Sequence, residues 1–382
     1  VPAIGRRSVL AATAGILSAP SIVRAQGQNG VALVIGNSKY LWEAQLPNVR
    51  RDAPDVARRF QALGLKTELL QDAGRDAMLA ALERLRSAAA SANLATFYFA
   101  GHGVSWRKQS YVVPVDASLN NDKALGGLIT VPAIDSALMP AANRLLVFDS
   151  CRNNPSDGWL QREARALAAV EAADSVAAAM SKQNALTLYS TASGAVALDG
   201  PPGANSPFAA AFLRQLDVPS IDLQALPAKL RRDLLLATEG RQLVWDVNTF
   251  KAPFVLAGAG KGAAGSVPAV DPSRILELPN AYAMVQKLGL PLPPGLVAIR
   301  PATDTPLARV VGSYRYDPLV TFVSGTSGYP MPSVFLVLAV SESGQADLIF
   351  SGRDFVTGGN GKRWTYKTAP FTGNVLSYLM AD

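Results

Sequence analysis

The chain holds one histidine and one cysteine, and each directly follows an apolar, β-type run. His102 closes Thr96-Phe97-Tyr98-Phe99-Ala100-Gly101-His102, and Cys151 closes Leu145-Leu146-Val147-Phe148-Asp149-Ser150-Cys151. An imidazole and a thiol at the ends of two strands are the parts of a general base and its nucleophile. Taken singly, a lone cysteine is more often an inert core residue and a lone histidine a satisfied polar group. The same placement met twice is what argues for chemistry. Asp149, two residues before Cys151, projects by period-two alternation to the nucleophile's side of the strand end. One His and one Cys cannot supply a usual zinc ligand set, so no metal is assigned.

The elements that must carry these side chains alternate strand and helix. Residues 31–35 read as a buried strand ended by Gly36-Asn37. A helix is expected over 52–63, with Val56, Phe60 and Leu63 on one face and Gly64 as its stop. Strands follow at 66–70, 94–100, 143–149 and 184–190. Helices are expected at 75–90, 131–138, 207–216 and 221–238. Residues 111–115 suit a short extension or hairpin, 159–180 an Ala-rich helix or connector, and 241–256 a last extended pair. This order implies an α/β fold with a mainly parallel sheet and helices on both faces. Such sheets bind ligands at the carboxyl ends of their strands, which is where His102 and Cys151 fall. The interval between them is ample for one right-handed crossover between neighbouring strands.

Of the 382 residues, 49% are hydrophobic and 17% charged, which favours a sizeable core over disorder. The net charge of +7 is scattered among Asp and Glu with no dense basic run, so nucleic-acid binding is not expected. Residues 1–25 read as an export signal. Arg6-Arg7 precedes a short, weakly apolar, Ala-rich stretch, as on the twin-arginine route, and the expected destination is the periplasm. That stretch is too short for a membrane span of roughly 20 residues, and no stable span is expected. One cysteine allows no internal disulfide there, and a free thiol kept in an oxidising compartment points to reactivity.

Val31-Ala-Leu-Val-Ile-Gly-Asn37, Tyr98-Phe-Ala-Gly-His-Gly103 and Phe148-Asp-Ser-Cys-Arg152 resemble the strand-end motifs of caspase-like cysteine peptidases, bacterial orthocaspases and their metacaspase and paracaspase relatives above all. The resemblance covers residues 30–257, with a large segment over about 30–160 and a small segment over about 184–257. It implies a Cys151–His102 dyad cutting peptide bonds, with the backbone N–H groups of Gly103 and Cys151 as the oxyanion hole. As a plain turn residue Gly103 would need no such role.

In metacaspase- and paracaspase-like members the position of Asp149 helps hold an Arg or Lys next to the cut bond, and Asp52 looks like the family's second acidic position. Asp52 also suits the N-cap of its helix. Two carboxylates on one guanidinium discriminate by charge and fork geometry. The implied partners are protein or peptide substrates with Arg or Lys at the cut site. Trp245, in Arg241-Gln242-Leu243-Val244-Trp245, resembles a residue of the substrate groove, though core packing suits a lone Trp equally. Arg162, Arg165 and Lys182 are candidate self-cleavage points. No cofactor is required. Asp116, Asn120, Asn121 and Asp122 lie where related enzymes can carry calcium ligands, but two carboxylates with two amides make a poor hard-cation site; calcium is permitted and not predicted.

A catalytically silent binding module of the same fold and an amidase-type cysteine hydrolase are the alternatives. Gly-rich residues 258–272 read as a linker, and 273–382 as a small β-rich module with a short helix near 280–288 and strands near 310–316, 334–340 and 346–350. That module shows no motif for chemistry, and the oligomeric state is left open.

Overall fold

In the computed structural model the described residues are 23–24, 29–106, 109–119, 124–150, 184–191, 197–218, 220–257, 271–277 and 294–300, with strands within 312–376. Cys151 and residues 152–183 lie outside them, as do 1–22, the calcium-site residues 120–122, most of the expected linker and the helix expected near 280–288.

In chain order, β1 (Val23–Arg24) precedes β2 (Gly30–Gly36), α1 (Val49–Ala62), β3 (Lys66–Gln71), α2 (Arg75–Ala89) and β4 (Leu94–Ala100). A small three-stranded sheet follows from β5 (Gly103–Trp106), β6 (Gln109–Val112) and β7 (Ile129–Thr130), with the short α3 (Ala124–Gly127) before β7. Then come α4 (Val131–Leu138), β8 (Asn143–Asp149), β9 (Asn184–Tyr189), α5 (Pro207–Leu216), β10 (Ser220–Asp222), α6 (Leu226–Ala237), β11 (Trp245–Asn248) and β12 (Phe254–Ala257).

The main sheet has the order β11-β9-β8-β4-β2-β3. Its five strands from β9 to β3 are parallel, and β11 closes one edge antiparallel. Alternation sorts the side chains cleanly. Ala32, Val34, Tyr98, Leu145, Val147, Leu186 and Leu188 pack with α1, α5 and α6 on one face. Leu33, Ile35, Phe97, Phe99, Leu146 and Phe148 pack with α2 and α4 on the other. Both faces are covered, which is why these strands are almost continuously apolar.

Two local expectations change. The first helix starts at Val49, so Asp52 sits inside its first turn; the N-cap position belongs to Asn48. Residues 221–238 are not one helix, because Ile221 and Asp222 pair with Leu256 and Val255 before α6 begins. Their apolar spacing fits a helix, but an open edge of β12 takes them first. The extended pair expected over 241–256 is therefore two strands in different sheets. β1, inside the expected export signal, lies parallel to Phe254–Val255 on the other side of β12.

Beyond the main domain, β13 (Ile275–Glu277) pairs with β14 (Val297–Ile299). The strands β15 (Gly312–Tyr316), β16 (Ser333–Val340), β17 (Gln345–Ser351), β18 (Thr365–Thr372) and β19 (Val375–Leu376) form an antiparallel sheet. The β13–β14 pair is tied to α6. Buried Arg231 donates to the Pro294 carbonyl and pairs with Asp246, while Arg274 meets Glu239 and Arg232 meets Glu277, both at 2.8 Å.

Candidate active site

Register places the two strand ends side by side. Ala100 of β4 is paired with Asp149 of β8, and the Gly101 N–H donates to the Asp149 carbonyl at 3.2 Å. His102 and Cys151 each follow two residues after these paired positions. Gly101 is needed for a close approach: a Cβ there would stand 2.5 Å from the Tyr40 hydroxyl.

The His102 ring is fixed from the loop after β2. Its Nε2 lies 2.7 Å from the Ala44 carbonyl oxygen, which can only accept, so Nε2 carries the proton and Nδ1 is left as the basic nitrogen. The Tyr40 ring lies 4.5 Å away, centroid to centroid, and its hydroxyl accepts from the His102 backbone N–H at 2.7 Å. Burial pushes the imidazole below its ordinary pKa, against smaller upward pulls from the Ala44 carbonyl and Glu43. The ring is thereby neutral and ready to take a proton at neutral pH. Gly103 opens β5 opposite Val112. The ladder bond at this end runs from the Val113 N–H to the His102 carbonyl at 3.0 Å, which leaves the Gly103 N–H outside the β5–β6 ladder.

Next to this edge, on the α1 and α5 face, Asp52 and Asp149 converge on one residue. The Ser206 N–H donates to Asp52 Oδ1 at 3.0 Å, and the Ser206 hydroxyl donates to Asp149 Oδ2 at 2.7 Å. Asn205 donates to Asp52 at 3.0 Å, and Tyr98 to Asp149 at 3.4 Å. Both carboxylates are buried. Desolvation is the main cause that raises both above the carboxylate range; their proximity adds to it at Asp52, and Asp199 pushes each further. Among the described residues neither makes an ion pair.

The family model of the caspase domain, peptidase C14, matches residues 29–255. The chain belongs to that family. No match was found among curated proteins. Membership makes this a cysteine-type peptidase domain whose substrates are proteins or peptides, and no helix among the described residues is long and apolar enough to cross a membrane.

Within the caspase domain, several positions that hold His102, Asp52 and Asp149 in place carry no signal in their residue type. Ala44 acts through its carbonyl alone. Ser206 caps α5, accepting from the Ala209 N–H at 2.9 Å, and Ser206-Pro207 ahead of an apolar run was the one local sign of it. Asn48 holds the loop carrying Asp199, donating to its carbonyl at 2.6 Å. Buried Gln242 ties the same loop to the end of β9 through the Leu198 N–H and the Ser190 carbonyl. Trp245 stands at the same sheet edge, half-buried opposite Tyr189, but packs against the α2 and α4 side. Asp116 accepts from the Arg75 N–H at 3.0 Å and so serves the start of α2.

Proposed function

We propose that this caspase-domain chain is a cysteine endopeptidase that cuts after Arg or Lys through a Cys151–His102 dyad. The observation that carries the specificity is the Asp52–Ser206–Asp149 arrangement: two buried carboxylates held, among the described residues, by neutral donors only. An arriving guanidinium or ammonium supplies the positive partner that lets both carboxyls ionise, and removing one member of such a set costs about 3–5 kcal/mol.

The ring geometry of His102 supports the following chemistry. His102 Nδ1 takes the Cys151 thiol proton as the sulfur attacks the carbonyl carbon, and the Gly103 and Cys151 N–H groups receive the negative oxygen, each worth roughly 2.7–4 kcal/mol in comparable sites. The C–N bond then breaks and the imidazolium returns its proton to the departing amine. Water, deprotonated by the same nitrogen, displaces sulfur from the thioester; the acid leaves and the thiol is restored. Arg6-Arg7 and the apolar run behind them support export by the twin-arginine route.

A panel of fluorogenic peptides differing only at the cut residue tests the assignment. Arg and Lys peptides are expected to be turned over and Asp peptides not; preferential turnover after Asp overturns the acidic pocket. Self-processing at Arg162, Arg165 or Lys182 would appear as shorter masses in wild type that are missing in Cys151→Ala.

A further inference from the structure

We infer that Leu41 and Trp42 form a subsite for an apolar side chain on the downstream side of the cut bond. This rests on the peptidase function proposed above. Tyr40 and Ala44 both bear on His102, one through its ring and hydroxyl and the other through its carbonyl. Residues 41–43 are thus an arch whose two feet stand on the imidazole. The arch is braced from outside as well. The Leu41 N–H donates to the Val115 carbonyl at 3.0 Å, Glu43 Oε1 accepts from the Leu119 N–H at 3.0 Å, and the Leu46 N–H donates to the Ser38 carbonyl at 3.0 Å.

On this braced loop Leu41 is 68% and Trp42 62% exposed. Trp42, two residues from each of the two His102 contacts, is a large aromatic exposed on this braced loop, and burial of its face by a bound side chain is favourable. The direction of the groove decides which. The imidazole hands its proton to the departing amine, so the downstream part of the substrate passes His102. The basic side chain upstream goes instead to Asp52 and Asp149, on the α1 and α5 face. The arch therefore borders the downstream half, and Leu or Phe just after the cut bond suits it.

Two substrates separate this inference from its foundation. An Arg-aminocoumarin reporter has no downstream residue and reports only on the Arg pocket and dyad. Internally quenched peptides with Arg followed by Phe or by Gly report on the arch. In wild type the Phe peptide is expected to exceed the Gly peptide in kcat/KM by roughly tenfold. In Trp42→Ala that ratio falls towards one, and Trp42→Phe retains most of it. Equal turnover of the two peptides by wild type, or a ratio untouched by Trp42→Ala, overturns the subsite. So does self-association by sedimentation that Trp42→Ala abolishes while the ratio stays put, which would give the patch to a second copy. Failure to cleave any Arg or Lys reporter would remove the Arg- and Lys-directed function and this subsite together.

Discussion

Ser206 and Asp149 meet at 2.7 Å, hydroxyl to carboxylate, while the backbone N–H of the same serine serves Asp52 at 3.0 Å. One N-cap residue thus sets both the start of α5 and the spacing of two acidic side chains from distant parts of the chain. Ser206→Ala is expected to cost about 1 kcal/mol through the lost cap. It also removes a bond that lowers the Asp149 pKa, so ionisation of the pair moves to higher pH. KM for Arg peptides measured against pH should shift alkaline in Ser206→Ala and recover in Ser206→Thr.

Binding of a basic side chain should expel protons near neutrality. The fold holds Asp52 raised to about 8, and a guanidinium favours the ionised form. Titration calorimetry in two buffers of different ionisation enthalpy should show proton release on binding an Arg inhibitor at pH 7, and less release in Asp52→Asn. That variant should also lose about 10²- to 4 × 10³-fold in kcat/KM on Arg peptides.

The same shift has a consequence for stability. A carboxylate with a folded pKa above its unfolded value of 3.8 binds more protons folded than unfolded in the window between the two. Stability from Asp52 is then full at the acid end and declines as pH rises from about 4 to about 8. Thermal melts across that range should fall less steeply for Asp52→Asn than for wild type.

Because the chain has one histidine, nitrogen NMR of histidine-labelled protein yields a single imidazole. The Ala44 contact requires the neutral ring to carry its proton on Nε2 at pH 7, and burial requires a midpoint below about 6.5. A proton on Nδ1, or a midpoint above that value, would contradict the assigned geometry.

Docking of the β13–β14 pair on α6 is testable without truncation. Gly295 has φ +83°, and a Cβ there would stand 2.2 Å from the Ala228 carbonyl oxygen. Gly295→Val should cost about 1–3 kcal/mol and open residues 271–277 and 294–300 to limited proteolysis. An unchanged melt and digest would show that the contact contributes nothing.

Much of this was legible in the residues themselves, for physical reasons. Leu94–Ala100 and Asn143–Asp149 are buried on both faces, so their apolar runs mark their bounds directly. Val131–Leu138 and Pro207–Leu216 are announced by Thr130 and Ser206 as side-chain caps, with Pro in the first turn of each helix. Asp52 and Asp149 were named from family resemblance, and burial now joins them. The residue that joins them was beyond reach, since Ser206 is 154 positions from Asp52 and no local pattern encodes such a contact. Ala44 was invisible for a different reason: a backbone carbonyl leaves no trace in residue type. The strand Ser220–Asp222 was misread because its apolar spacing continues that of α6, and only the partner β12 distinguishes the two.

Cys151 and the acidic pocket can be examined together by treating the folded protein with an arginyl chloromethyl ketone and mapping the modified peptide. A single adduct on Cys151, lost in His102→Ala and strongly reduced in Asp149→Asn, is the expected result. An unmodified Cys151, or equal labelling by the aspartyl ketone, would contradict an Arg- and Lys-directed thiol peptidase.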